Sequence, residues 1–448
     1  MNLSRPTIAL AVLVISSSPA AEPPAAAPTQ NADTQALVLQ LQEEVAELRG
    51  LPFKSNVTAG VQSQEQFAAY LDGQIDEALP EIKNKHYGAI VKRLGLYRGD
   101  LTNFSDTAKA VMSSQAGAYY DPETKTFNML MQNVSEMMMK LLYTHELYHG
   151  LQDQYFGLQK YLPMKGWTGP DLTADEAMAR QAVVEGEATY IMSMYAMRTM
   201  AGKEPTRELM VPAIQRQSQI DLESIKAMMK LPEMTKLAGS GVAEAMEATD
   251  SIPSFMIESL LGVYMKGLSF VFAVHERGWS EVEKLYTEYP PQSTEQILHP
   301  EKWQSREAPA DIAYSALERV SALQGWEQLD SDVLGEFQWR VVFKEQGLGA
   351  EAEAAAAGWD GDRYIIFKRK DSDATLMLLS TSWDSAAQAD EFASAYRRLL
   401  AKKYQGETEP SRVLQKKENV YIVEGGNEKD IGALLKVASK SKKKIAHR

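Results

Sequence analysis

Cysteine is absent from the 448 residues, and that absence removes thiol nucleophiles, disulfide frameworks, Cys-ligated zinc and iron–sulfur clusters together. Any metal site must therefore draw on histidine and carboxylate. Histidine is scarce as well: the six lie at positions 86, 145, 149, 275, 299 and 447, and only one pair is close in sequence. Positive charge is in deficit, with 47 Lys and Arg against 60 Asp and Glu. The net charge of −13 repels a phosphate backbone, which argues against nucleic acid as a partner. After the N-terminal leader no stretch approaches about 18 unbroken apolar residues, so an integral membrane protein is not expected.

What is present is a globular composition, 44% hydrophobic and 24% charged, over a length that at roughly 100 to 200 residues per domain corresponds to two or three domains. Met1 to Ala21 has the pattern of an export signal: Arg5, then the apolar run Thr7 to Ile15, then the small residues SSSPAA. The apolar run is too short for a hydrocarbon core that needs about 20 residues, so cleavage near Ala21 and a periplasmic or secreted mature chain are expected. No cysteine follows that could carry a lipid. Residues 22–35 are a Pro/Ala-rich flexible linker. Residues 36–50 form a helix with Leu37, Leu41, Val45 and Leu48 on one face, expected to dock on the main domain.

The expected fold class is α+β. Residues 51–326 are mostly amphipathic helix with one β exception, a hairpin in which Ala118–Tyr120 and Thr126–Met131 flank the turn residues DPETK. Residues 327–438 read as a separate small α+β domain. It holds the strands DRYIIFKRK, ATLMLLSTS and VYIVEG, a helix capped by Ser385 and a last helix. Residues 439–448 are a basic tail.

The chemistry is concentrated in VSEMMMKLLYTHELYHGLQDQ. Val134, Met138, Leu141, Leu142, His145, Tyr148 and His149 follow the three-and-four spacing of a helix with one buried face, and the methionines serve there as core filler. His145-Glu146-Leu147-Tyr148-His149 is an HExxH pentapeptide. On a helix its imidazoles lie about 6 Å apart on one face and converge on one ion, while the Glu after the first His reaches the open coordination position. The pattern specifies a Zn2+ site with a general base, Glu146.

Catalytic zinc takes three protein ligands, and no third histidine follows closely, so a carboxylate is favoured. A second long helix opens at Thr173, where Thr173 and Glu176 form a capping box, and carries Glu185 and Glu187 in VVEGEATY. Two positions on a helix differ by about 200°, so only one can face the ion. Glu185 shares its face with Gln181, Ala182, Ala188 and Thr189, small or polar neighbours that leave room for two imidazoles. Glu187 shares the apolar face of Val183, Val184, Tyr190 and Ile191. Glu185 is the expected ligand, and Glu187 an acid behind the site or at the surface. Gly186 between them is costly in a helix, which points to a tight contact.

HELYH followed on a later helix by EGEATY resembles the glutamate-ligand zinc peptidases, the gluzincins of thermolysin and aminopeptidase N type. EGEATY is similar to the EGFASY-type stretch of the latter, whose first Glu is the metal ligand, and this resemblance implies the same role for Glu185. The segments YYDPETKT, HELYHGLQDQYF, VVEGEA, STEQILHPEKW, GWDGDRY and TSWDS are more closely similar to a group of bacterial extracytoplasmic proteins. In that group a metallopeptidase role is itself inferred from the motif. The resemblance implies a zincin-like catalytic domain over 51–326 and an accessory domain over 327–438. The Gly-Ala-Met-Glu-Asn signature of aminopeptidase N relatives is missing, which leaves exopeptidase action without support.

The expectation is thus a zinc-dependent endopeptidase acting on peptide or unfolded protein outside the cytoplasm. Its oxyanion needs a further donor, for which His299, Tyr119, Tyr120 and Tyr190 are the candidates, His299 being the one named as catalytic. Asp153 could orient a ligand imidazole or make an ion pair. GWDGDRY has turn chemistry. The sequons at Asn56, Asn103 and Asn133 matter only where export includes glycosylation. The alternative is an envelope binding or assembly factor that keeps zinc for structure, against which stands Glu146, a base that a structural site does not need.

Overall fold

The computed structural model describes residues 32–445, apart from 79–80, 100, 102–105, 108, 110–117, 131–134, 164–171, 221–223, 225–226, 228–251, 315–316, 318–319, 321–322, 406–408 and 441. The segment expected to be an export signal, Asn103, Asn133 and His447 lie outside the described residues, as does most of the expected linker.

The fold is α+β, with three sheets among the described residues. The first helix, α1 (Ala32–Arg49), begins four residues before the expected start. It docks by Val38, Leu41, Val45 and Leu48, a stripe in which Val38 takes the place expected of Leu37, which is only partly buried. Next come strand β1 (Thr58–Gln62) and helices α2 (Gln64–Ala78) and α3 (Glu81–Leu94). The hairpin follows as β2 (Ala118–Asp121) and β3 (Thr126–Leu130), paired antiparallel with Tyr120 opposite Phe127. Strand β1 adds parallel to β3, Thr58 beside Thr126, so the order is β1-β3-β2 and β2 lies at an edge. The sequence of β1, TAGVQ, has one β-branched apolar residue and carries almost no strand signal of its own.

Two long helices follow: α4 (Glu136–Phe156), N-capped by Ser135 and packed on β2 and β3, and α6 (Ala174–Met200), N-capped by Thr173 and packed on α4. A short α5 (Leu158–Tyr161) lies between them. Helix α7 (Arg207–Gln217) precedes α8 (Ser254–His275), which lies along α6. Helix α8 is long and apolar enough to cross a membrane, with a mean hydropathy of 1.5 over its most apolar window. Glu258, Ser259 and Lys266 interrupt it, and Phe255, Val263, Leu268, Phe270 and Val271 are buried in the protein. The α6–α8 crossing explains Gly186: a Cβ there would lie 2.2 Å from the backbone carbon of Gly267, and one on Gly267 would lie 2.0 Å from the Ala182 carbonyl oxygen. Helix propensity alone favours Ala over Gly by about 1 kcal/mol. Because the obstruction is backbone and cannot rotate away, overpacking by about 1–3 kcal/mol decides the sign. Gly186→Ala should lower the melting temperature by about 1–3 °C, the shift expected for a net loss of about 1 kcal/mol; a rise would mean the two helices separate without cost.

Helices α9 (Trp279–Thr287), α10 (Thr294–Leu298) and α11 (Pro300–Gln304) complete this part, and β4 (Ala310–Ala313) pairs with β10 (Lys442–Ile445). A five-stranded antiparallel sheet then runs in the order β5-β6-β7-β9-β8, with β5 (Trp326–Asp332), β6 (Trp359–Arg369), β7 (Thr375–Trp383), β8 (Ser411–Lys416) and β9 (Asn419–Glu424). Helices α12 (Gly335–Glu345), α13 (Ala352–Ala356) and α14 (Ala386–Lys403) lie on the face of Tyr364 and Ile366, and α15 (Glu428–Ala438) on that of Ile365 and Phe367. GWDGDRY opens β6, and Asp362 holds the neighbouring chain in place. Its carboxylate accepts from the backbone N–H of Leu334 and Gly335 and from the indoles of Trp339 and Trp359.

Tyr87, Ile90, Val91 and Leu94 of α3 and Phe255 and Ile257 of α8 share one core with Trp339, Phe392 and Tyr396. Polar contacts reinforce that junction. Arg93 bonds Glu409, Tyr404 and Thr375, and lies 3.8 Å from Glu424. Glu424 is fully buried and also accepts from Lys403 and Tyr404. Burial acts to raise its pKa, but Lys403 and Arg93 outweigh it and hold the carboxyl below the usual range. A group depressed in the folded state contributes stability that is present above its unfolded pKa of about 4.3 and is lost as pH falls through the folded value. Thermal melts should therefore fall more steeply below about pH 4 in the wild type than in Glu424→Gln. Parallel profiles would mean this carboxylate contributes nothing to acid lability.

Candidate metal centre

Helices α4 and α6 bring three side chains to one point. His145 and His149, one turn apart on α4, present Nε2 atoms 3.2 Å from each other. Glu185 of α6 places Oε2 3.0 Å from His145 Nε2 and 3.5 Å from His149 Nε2. A tetrahedral zinc with bonds of about 2.0–2.1 Å needs its ligand atoms about 3.3 Å apart, so the three distances fit one ion with little adjustment. All three residues are buried, at 5%, 5% and 3% exposure.

The electrostatics match the geometry. Burial acts to raise the Glu185 pKa, but the imidazoles of His149 and His145 outweigh it and hold the carboxyl well below the usual range. Burial acts to lower that of His149, but Glu185 outweighs it and raises the ring to about 9. The set draws a cation, proton or metal, to its centre. Glu146 lies on the same helix as the two histidines, and its Oε2 accepts from the backbone N–H of Tyr120 at 3.1 Å. Burial pushes its pKa up, with His149 and His145 pulling back.

The orientation of His149 is fixed by Gln152, a residue that the sequence did not single out. Gln152 Oε1 lies 2.8 Å from His149 Nδ1. The opposite end of that amide, Nε2, faces the Val184 carbonyl at 3.0 Å, Glu187 Oε2 at 3.2 Å and the Tyr286 hydroxyl at 2.7 Å. These partners require the nitrogen there and the oxygen at the imidazole. His149 Nδ1 is then a donor, and Nε2 keeps its lone pair for a metal. Asp153, expected to orient an imidazole or make an ion pair, makes the ion pair, with Lys125, and also accepts from the Tyr120 hydroxyl and the Leu158 N–H.

Glu187 faces away from the three ligand candidates. It is fully buried rather than at the surface, bonded to Arg49 and Tyr286. Tyr264 of α8 is a further neighbour that the sequence did not single out: its ring stacks on His145 with centroids 5.7 Å apart. Burial, then the nearby Glu185 and Glu146 carboxylates and its own hydrogen bond to Glu185, push its hydroxyl well above the usual range, so it is a donor, directed at Glu185 beside the cluster.

The expected oxyanion donors are engaged elsewhere. His299 is not brought to the cluster: its Nε2 lies 3.1 and 3.0 Å from the two Glu336 oxygens. The hydroxyl of Tyr119 bonds Gln62, that of Tyr120 bonds Asp153, and that of Tyr190 lies 3.0 Å from His275 Nδ1. A second group of acids, Glu295, Glu307 and Asp384, lies close enough to surround an ion, but the Lys302 ammonium already occupies its centre at 2.6–2.8 Å from each.

Residues 319–436 match a family described as a domain of unknown function (DUF8575). The match covers the five-stranded sheet and its helices and does not extend to α4 or α6. No curated protein and no solved structure matches the chain.

Proposed function

We propose that the protein is a zinc-dependent peptidase of gluzincin type, cutting within peptide or unfolded protein outside the cytoplasm. The observation that carries this reading is the triangle of His145, His149 and Glu185 at tetrahedral ligand spacing, with a carboxylate on the residue after the first histidine. A hydroxyl donor, Tyr264, stands beside the same triangle.

His145 Nε2, His149 Nε2 and a Glu185 oxygen would hold the ion, which when bound supplies Lewis acidity towards water and the scissile carbonyl. Glu146 accepts the proton as the water oxygen bonds to the carbonyl carbon, then passes it to the amine as the C–N bond breaks. Its burial and raised pKa suit a group that must both take and return a proton. Tyr264 donates its O–H to the oxyanion, the role first expected of His299.

Strand β2 supports a peptide as substrate. Tyr120 pairs with Phe127 on one side of the strand, while its own N–H is directed to Glu146 on the other. The side of β2 not paired with β3 is therefore turned towards the general base, and an extended backbone that displaced the Tyr120–Glu146 bond and added to that edge would place a peptide bond beside Glu146. Digestion of a peptide library tests the reading. Cleavage inside the peptides, lost on chelation and restored by zinc, is expected; cleavage indifferent to chelator, or none at full zinc occupancy, would overturn it.

A further inference from the structure

Arg49 closes helix α1, 138 residues from its buried partner Glu187. Arg49 and Glu187 are 1% and 0% exposed. Its Nε is shared between Glu187 Oε1 and the Tyr148 hydroxyl, each at 3.0 Å. Its guanidinium lies over the Trp279 ring, 4.2 Å from the centroid. A buried carboxylate keeps its charge only where a cation and hydrogen-bond donors compensate it, and here the cation comes from the N-terminal helix.

From Glu187 the bonds lead to the ligand candidates. Its other oxygen accepts from the Tyr286 hydroxyl at 2.7 Å and from Gln152 Nε2 at 3.2 Å. Gln152 in turn holds His149 by Nδ1 at 2.8 Å. Rotation of this amide would present its NH2 group to the imidazole and turn the lone pair to Nδ1, leaving Nε2 protonated. The Glu187 charge opposes that rotation, because it would place the amide oxygen against a carboxylate.

We propose that Arg49 is a positioning residue for His149, acting through Glu187 and Gln152, so that helix α1 is part of the metal centre. The proposal rests on the reading of His145, His149 and Glu185 as zinc ligands, and it gives the segment following the leader a role beyond packing. Changes behind a ligand histidine cost about 10–100-fold in metal affinity, and members of one connected chain are non-additive when changed together.

The test is a double-mutant cycle on zinc affinity, measured by competition with a chromophoric chelator, with the visible spectrum of the Co2+-loaded chain as a second readout. Arg49→Ala and Gln152→Ala are each expected to weaken zinc about 10–100-fold and to alter the Co2+ bands. The double variant should be little worse than the weaker single one. Arg49→Lys, which keeps the charge, should recover part of the loss. Should Arg49→Ala not fold, the cycle is run on Arg49→Lys with Gln152→Ala, where the same non-additivity is expected. Losses that add independently, or an Arg49 variant that melts earlier while binding zinc and absorbing as the wild type does, would overturn the relay and leave the zinc reading intact. A wild type that takes up no zinc would overturn both.

Discussion

Zinc-loaded Glu146→Gln should bind metal as the wild type does and hydrolyse peptide about 10²–10⁴-fold more slowly, the usual contribution of a positioned general base. The two parts of that result arise from different features of the site. Metal affinity is unchanged because Glu146 is not among the atoms that converge at 3.0–3.5 Å; its carboxylate is turned to the Tyr120 N–H instead. Hydrolysis falls because an amide of nearly the same shape has no basic oxygen to take the water proton. Tyr264 and the metal ligands are untouched, so residual activity above the uncatalysed rate is expected from them. Steady-state turnover together with metal content checks this. Unchanged turnover would exclude Glu146 as the base and favour a binding factor that keeps zinc for structure.

Glu185→Ala should lose zinc affinity by more than the about 10–100-fold expected for changes behind the ligands, because it removes a ligand atom rather than a support. Glu187→Ala provides the contrast. It leaves all three ligand atoms in place, so near-normal metal content at saturating zinc is expected. It also strands the Arg49 guanidinium without its buried partner, and breaking such a pair costs about 3–5 kcal/mol. The two variants therefore separate: one fails in chelator competition with a modest change in melting temperature, the other melts early and still fills with metal. The reverse order in the competition would assign the ligand to Glu187.

The cluster of His145, His149 and Glu185 was legible because its signal is local. An i, i+4 histidine pair on a helix defines its own geometry, and the choice of Glu185 over Glu187 needed only the opposite faces of one helix and the character of its neighbours. The hairpin, the helices capped by Thr173 and Ser385, and the strands at 359–369, 375–383 and 419–424 were legible for the same reason. Strand β1 was not, since TAGVQ has little β propensity and becomes a strand by pairing with β3 far along the chain. Strand β5, WEQLDSD, is another case: its buried Asp330 and Asp332 hide the alternation.

The groups around the ligands were illegible because each is an isolated polar residue on an amphipathic helix, indistinguishable in sequence from a solvated one. Tyr264 meets His145 across 119 positions, and Arg49 meets Glu187 across 138. Gln152 was the exception that local reasoning could have reached, standing three residues after His149 on the same face. Asp153, at four, was weighed instead, and the fold commits it to Tyr120 and Lys125. His299 was singled out because its side chain is of a type that can donate to an oxyanion. Type is not position, and Glu336 holds its ring.

Anomalous diffraction at the zinc edge, from crystals of the chain equilibrated with zinc, tests the centre most directly. The account predicts one peak per chain, about 2.0–2.2 Å from His145 Nε2, His149 Nε2 and a Glu185 oxygen. A chain at full zinc exposure with no peak there, or with its ion held by other residues, would contradict it.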